Sequence, residues 1–232
     1  MEPGIALIVG AGSGLSASLA RLFAREGISV ALAARNTEKL AALCKEAQGA
    51  RAYHCDASDQ SQVSRLFEDV ARDLGDPTVV VFNAGMRGRG PIAELEAEQV
   101  KRGLLNGCYA GFLVGREAAK RMLPRESGTI IFTGATASVK GFALSAPFAM
   151  AKFGLRGLAQ SMARELAPKG IHVAHVVIDG GIASSYAKDE ADKATDRWLD
   201  PDAIAQTYLQ LHRQHRSAWT WEIEVRPWVE KF

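Results

Sequence analysis

Ile5-Ala-Leu-Ile-Val9 is apolar at every position. A strand that shows neither face to water must be covered on both, as parallel sheets enclosed by helices are. Largely apolar runs return at 28–34, 78–82, 128–133 and 171–178, and more polar stretches at 51–55 and 219–225 also read as strands. Between them, apolar residues recur at helical spacing over 15–26, 37–47, 61–74, 96–122, 147–166 and 201–213. Gly27, Gly49 and Gly75 follow the first three of these stretches as stop signals. Regular alternation of strand and helix implies parallel strands joined by right-handed crossovers. The expected fold is α/β, a three-layer, doubly wound sandwich around a parallel sheet. Such sheets bind ligands beyond the carboxyl ends of their strands. Function is therefore expected just after the first, fourth, fifth and sixth runs.

No linker, repeat or low-complexity tract divides the 232 residues, so 1–232 reads as a single domain. Hydrophobic residues make up 47% and charged residues 23%, which excludes a disordered or collagen-like chain. The net charge of +2 gives no electrostatic footprint for nucleic acid or a membrane surface, and neither is expected as a partner. Cys44, Cys55 and Cys108 are scattered, with no C-x-x-C pair, which suits a reducing compartment. Met1-Glu-Pro-Gly4 carries no positive leader, and no apolar run reaches a membrane span. A cytoplasmic location follows as the expectation. His212 and His215 stand three apart without a visible third ligand, so no metal site is expected. His172 and His175 fall on opposite faces of one strand and read as structural.

The stretch Val9-Gly10-Ala11-Gly12-Ser13-Gly14-Leu15-Ser16 joins the first strand to the first helix. Glycine permits a tight turn and a close backbone approach, and a helix N-terminus offers free N–H groups to a pyrophosphate. In this position the loop points to dinucleotide binding through Gly10, Gly12, Ser13, Gly14 and Leu15. The second strand ends Ala33-Ala34-Arg35. An acidic residue near this point would grip the ribose 2′-hydroxyl of NAD, whereas an arginine fork suits a 2′-phosphate. NADP(H) is therefore expected in preference to NAD(H).

From about residue 4 to residue 182 the chain resembles the short-chain dehydrogenase/reductase family, with its NAD(P)-binding Rossmann fold. Gly10 and Gly14 match the family's T-G-x-x-x-G-x-G, with Val9 in the threonine place and Ser16 in that of the third glycine. Cys55-Asp56-Ala57 is similar to the end of strand three, whose Asp meets the adenine. Asn83-Ala84-Gly85 matches the N-A-G that closes the fourth strand on the cofactor. Asn106 matches the family's active-site Asn, and Lys152 the Lys of Y-x-x-x-K. The resemblance breaks at the catalytic pair. Phe148 holds the tyrosine place, and Ala135, thirteen residues earlier, that of the serine. Asp179-Gly180 replaces the usual Pro-Gly after strand six. The chain reads as a divergent subgroup with Phe for the catalytic Tyr.

In the family, hydride passes from the nicotinamide to a carbonyl carbon while Tyr protonates the oxygen and Ser holds it. Loss of both hydroxyls removes a general acid worth roughly 10²–10⁴ in rate and an oxyanion donor. Lys152 and Asn106 remain to hold the ribose and order water. The leading expectation is an NADP(H)-dependent oxidoreductase acting on a small organic C=O, C=N or C=C substrate. Its proton would come from water, Lys152, Tyr109 or Tyr186, or from a relocated hydroxyl among Thr133, Thr136 and Ser138. A catalytically inactive NADP(H)-binding sensor or partner subunit is one alternative. Non-redox lyase or dehalogenase chemistry on the same fold is another. Arg87-Gly-Arg89 follows the fourth strand and reads first as a solvated loop, with a grip on an acidic substrate or the pyrophosphate as the competing reading. Residues 181–199 occupy the place of the family's substrate lid, with Tyr186 and Trp198 as contacts. The tryptophan-rich tail, 219–228, suggests subunit contacts in a homodimer or homotetramer.

Overall fold

In a computed structural model, which describes residues 4–193 and 195–230, the chain forms the expected parallel α/β sandwich. Met1 to Pro3, read above for a leader, lie outside the described residues, as does Ala194 within the lid segment. The strands are β1 (Ile5–Val9), β2 (Ser29–Ala34), β3 (Arg51–His54), β4 (Val79–Phe82), β5 (Gly128–Thr133), β6 (Ile171–Ile178) and β7 (Glu222–Val225). The helices are α1 (Leu15–Arg25), α2 (Ala41–Glu46), α3 (Gln60–Asp73), α4 (Ala97–Leu104), α5 (Ala110–Met122), α6 (Ala146–Leu166), α7 (Ala183–Tyr186), α8 (Glu190–Lys193) and α9 (Pro201–Arg213). The seven strands lie in the order β3-β2-β1-β4-β5-β6-β7, every pair parallel. Strand order reverses between β1 and β4, where Val9 pairs with Phe82. The loops after these strands turn to opposite faces, and a crevice opens between them.

Alternate residues of each central strand feed two cores. Ile8, Leu32 and Val81 pack with α1, α2 and α9 on one face, and Leu7, Val80 and Phe132 with α3, α5 and α6 on the other. Each fully buried side chain of this kind contributes about 1.5–3 kcal/mol. The edge strand β3 is mostly exposed, so its run is not apolar as those of β1 and β4 are. Asp59 starts α3 by accepting hydrogen bonds from the Ser61 and Gln62 N–H groups at 2.8 and 3.1 Å.

The expected helix over 96–122 is not continuous. One turn of π-helix, Leu105–Tyr109, separates α4 from α5. Gly103, Gly107, Gly111 and Gly115 recur at intervals of four along this stretch. A Cβ on Gly107 would lie 2.8 Å from that of Ala151, and one on Gly111 2.4 Å from Leu155 Cδ1. The glycine stripe thus lets this pair of helices press against α6. The wider turn sits at Asn106, and such bulges recur at functional sites. The expected helix over 37–47 is likewise reduced, to a 3₁₀ turn followed by the short α2.

The final strand is shorter than the 219–225 expected. Trp219 stacks on His172 at 4.9 Å between ring centroids, and its Nε1 donates to the Gln214 carbonyl, so pairing with β6 begins only at Glu222. His172 is buried, with its ring nitrogens 3.1 and 2.9 Å from the Leu211 and Thr220 carbonyl oxygens. His175 is fully buried, with Nδ1 3.0 Å from Glu222, which also takes a two-pronged bond from Arg156. His212 lies 3.0 Å from Thr129 Oγ1. No helix among the described residues is long and apolar enough to cross a membrane.

Candidate active site

The glycine loop is built against the end of β4. Gly10 has φ +86°, and a Cβ there would lie 2.6 Å from the Ala84 nitrogen, so only glycine fits. The Gly10 and Ala11 N–H groups both donate to the Ala33 carbonyl at 3.0 Å. Ser16 Oγ donates to the Gly10 carbonyl at 3.2 Å and accepts from Asn83 Nδ2 at 2.8 Å. The serine in the third-glycine place therefore acts as a tether between loop and sheet. Gly12 differs, since a Cβ there would meet nothing within 4 Å. Gly14 caps α1 without a side-chain acceptor, which leaves first-turn N–H groups to a ligand.

Two adjoining cavities meet at this loop and share Gly10, Gly12, Asn83, Ala84 and Gly85. One, of about 440 Å³, runs past Ser13, Arg35, Asp56, Ala57 and Asn106. The other, of about 550 Å³, runs past Gly14 and Leu15 to Ala135, Phe148 and Lys152. Each cofactor-binding candidate and Lys152, Asn106, Phe148 and Ala135 thus line one cavity or the other, while Tyr109, Thr136 and Ser138, considered as proton donors, line neither. An open cradle at Gly12 beside an uncapped helix start, with a cavity on either side, fits an extended dinucleotide. Asp56 accepts from the Ser58 hydroxyl and N–H at 2.7 and 2.9 Å, and these bonds, helped by Arg35, hold its carboxyl below the usual range. Lys39 lines the same end as Arg35 and was missed from sequence. Its place four residues after Arg35, at the opening of the next helix, was the available signal.

Lys152 is buried, and Nζ donates to the Thr133 carbonyl at 2.7 Å. Burial, with the Arg87 cation nearby, brings its pKa down to about 8. Nζ lies 5.9 Å from the Phe148 ring centroid. Three hydroxyls near Ala135 have partners: Thr133 Oγ1 with Tyr208 at 2.9 Å, Thr136 Oγ1 with Asp179 at 2.5 Å, and Ser138 Oγ with the Ala135 N–H at 3.1 Å. The Asn106 side chain donates back to the Arg102 carbonyl at 2.8 Å and lines the smaller cavity, apart from Lys152 and Phe148. Arg87 is not an isolated loop residue, since its guanidinium lies 5.6 Å from the Phe148 ring centroid and 4.8 Å from that of Tyr186.

The segment over 181–199 is pinned at its base, where Ala183 N–H donates to the Leu199 carbonyl and Leu199 N–H to that of Gly181. Tyr186 stacks on Trp198 at 5.7 Å between centroids, and Ile182, Ser185 and Tyr186 wall the larger cavity.

The short chain dehydrogenase family model matches residues 4–196. A short-chain dehydrogenase structure from Rhodopseudomonas palustris is 40% identical, with a TM-score of 0.84, over 97% of this chain and 99% of that one. An actinorhodin polyketide ketoreductase with NADPH superimposes with a TM-score of 0.88 at 26% identity, over 97% of each chain. The 3-oxoacyl-[acyl-carrier-protein] reductase of Homo sapiens is 27% identical over 209 residues, 90% of this chain and 88% of that protein. With a glycine loop, parallel sheet and two-part cleft arranged in this way, the chain belongs to the short-chain dehydrogenase family of oxidoreductases.

Proposed function

We propose that the protein is an NADP(H)-dependent oxidoreductase with an atypical active site, which transfers hydride to a small C=O, C=N or C=C substrate. The observation that carries this reading is the pair of cavities meeting at the glycine loop. One ends at two cations, Arg35 and Lys39, and the other at Lys152 beside Phe148. In the smaller cavity Arg35 and Lys39 receive a ribose 2′-phosphate, and Asp56 and Ala57 bound the adenine. Gly12, Ser13 and the start of α1 receive the pyrophosphate. When bound, the cofactor supplies a hydride at the nicotinamide end of the larger cavity. Lys152, fixed by the Thr133 carbonyl, holds the ribose there, and Asn83, Ala84 and Gly85 form the floor.

Phe148 and Ala135 take the places of the family's Tyr and Ser, so no hydroxyl stands at either of those two positions, while Ser185 and the Tyr186 phenol line the same cavity from the 181–199 segment. The reading as a divergent subgroup draws support from the engaged hydroxyls of Thr133 and Thr136, which pair with Tyr208 and Asp179. A C=N acceptor, already cationic, needs no oxygen protonated. For C=O or C=C the proton comes from water, from Lys152, whose lowered pKa makes it a better acid than an ordinary lysine, or from the Tyr186 phenol on the same cavity wall. The same partnered hydroxyls favour one second reading, an NADP(H)-binding sensor without turnover. Exposed Phe112 and Phe153, on α5 and α6, support assembly as a homodimer or homotetramer.

The test is calorimetric titration of the full chain with NADPH and with NADH, followed by turnover assays on ketones, imines and enones. Micromolar NADPH binding, tighter than NADH and with turnover of one class, is expected. Binding without turnover of any class favours the sensor. No binding of either cofactor overturns the reading.

A further inference from the structure

We infer that Arg87 and Arg89 form a carboxylate-binding site, and that the substrate of this cleft is a small carboxylic acid. The inference rests on the oxidoreductase reading above and specifies its substrate class. Arg87 and Arg89 line a third cavity of about 200 Å³, together with Thr136, Phe142, Ser145 and Phe148. Arg87 and Phe148 also line the larger cavity that holds Lys152, so the two spaces adjoin at the ring in the tyrosine place.

Neither arginine has a hydrogen bond or ion pair from its side chain to any described residue. Arg87 instead lies over two rings, Phe148 from α6 and Tyr186 from α7. Ring contacts of this kind hold the guanidinium in place while its N–H donors remain available. Two like charges share one small cavity without an acid between them, and an incoming anion relieves that repulsion. Both arginines are exposed at the cavity mouth, and partial desolvation with the neighbouring Arg89 pulls the Arg87 pKa down. The nearby carboxylate, Asp179, is already engaged, by Arg226 at 2.7 Å and by Thr136 at 2.5 Å.

A planar fork facing an oxyanion is suited to two parallel hydrogen bonds. The cavity walls add the apolar surfaces of Phe142, Phe148 and Ile178 for the body of the molecule. None of Gly10, Gly12, Ser13 and Gly14 lines this cavity, which separates it from the pyrophosphate cradle. Carboxylates and phosphate monoesters share oxyanion chemistry. The small, partly aromatic-walled space favours the flat carboxylate.

The experiment titrates the full chain with benzoate, methyl benzoate and phenyl phosphate, each with and without saturating NADPH, in wild type and in Arg87→Ala. Thermal melts report folding, and Arg89→Ala serves as a second variant should the first fail to fold. Benzoate is expected to bind, methyl benzoate to bind about tenfold more weakly or not at all, and Arg87→Ala to weaken benzoate about tenfold. Arg87→Lys is expected to restore only part, since it keeps the charge but loses the fork. Equal binding of acid and ester, no benzoate binding, or an unchanged benzoate Kd in folded Arg87→Ala overturns the site. Tighter binding of phenyl phosphate than benzoate overturns the carboxylate assignment in favour of a phosphate monoester. A loss of NADPH affinity in Arg87→Ala with benzoate unaffected makes Arg87 a cofactor residue and also overturns it. Failure of wild type to bind NADPH, with benzoate still bound through Arg87, refutes the oxidoreductase reading and leaves the anion site standing.

Discussion

Lys152 Nζ donates to the Thr133 carbonyl oxygen at 2.7 Å, which ties the second turn of the cleft's longest helix to the end of β5. This bond places a cation where burial opposes it, and the pKa falls to about 8. An unfolded lysine titrates near about 10.4. Between those values the unfolded chain binds more protons than the folded one, so stability rises with pH across that window and is flat in this group below pH 8. The full difference amounts to roughly 3 kcal/mol. Urea midpoints at pH 7.5 and pH 10, compared between wild type and Lys152→Met, isolate it, because the other titrating groups are common to both. The wild type is expected to gain on the variant as pH rises. Parallel shifts in the two proteins would refute the depressed pKa.

Gly10 and Gly12 stand two residues apart in one loop and have different duties. Gly10→Ala must place a Cβ against Ala84 at a positive φ, and both Tm and NADPH affinity are expected to fall. Gly12→Ala meets nothing in the protein. Its Tm is expected to stay within about 1 °C of wild type, while NADPH binding weakens about tenfold because a methyl group now occupies the cradle. Unchanged NADPH binding in Gly12→Ala would move the pyrophosphate elsewhere.

The apolar runs at 5–9, 78–82 and 171–178 made the parallel sheet legible, because a strand buried on both faces cannot hide its composition. The glycine loop was legible for a related reason, since its residues lie next to each other in sequence. What could not be read depends on distant partners. Thr133 and Thr136 stand close together in sequence, yet their hydroxyls turn to Tyr208 and Asp179. Only the packed fold decides that. The π-turn at Asn106 follows from the closeness of α6, which the glycines at intervals of four hinted at but could not locate. Arg87 and Arg89 are exposed, as a solvated loop implies, but the rings beside Arg87, Phe148 and Tyr186, lie about sixty and about a hundred residues onward and could not be placed from sequence.

Arg35 and Lys39 share the far end of the smaller cavity. Arg35→Ala is expected to raise the NADPH Kd by about tenfold to a hundredfold, the usual value of a charge-assisted bond, and to leave the NADH Kd within about twofold. Lys39→Ala is expected to act in the same direction but less, as a point charge without a fork. Isothermal titration with the two cofactors gives the ratio directly. Equal losses for NADPH and NADH would mean that Arg35 does not read the 2′-phosphate.

Burial holds His175 at about 4, despite the Glu222 carboxylate beside it, and His212 at about 4 as well. Their ordinary value is near 6.5. From pH 6.5 down to 4 the unfolded state takes up protons that the folded state refuses, so stability falls on acidification through that window. Each histidine contributes a slope of up to about 1.4 kcal/mol per pH unit. Denaturant midpoints at pH 7 and pH 5 are expected to differ more in wild type than in His175→Asn. A pH-independent midpoint over this range would show that neither histidine is held neutral.

Placing hydroxyls at positions 148 and 135 tests the proposed atypical site. Phe148 lies under two cations, with Lys152 Nζ at 5.9 Å and the Arg87 guanidinium at 5.6 Å from its centroid. A phenol in that place would have its pKa drawn below the usual value of about 10. Ala135 lines both the larger cavity and the small one beside Arg87, so a hydroxyl there faces the space where a substrate oxygen would lie. Phe148→Tyr with Ala135→Ser is expected to raise ketone reduction by about 10²–10⁴ over wild type, followed by loss of NADPH absorbance. Phe148→Tyr alone should capture the larger part, since the serine assists an oxyanion that first needs its proton donor. An imine, which needs neither hydroxyl, should show no comparable gain. If NADPH still binds and ketone turnover does not rise, that result points to a pocket beyond Phe148 shaped for another substrate, one whose reduction needs neither hydroxyl.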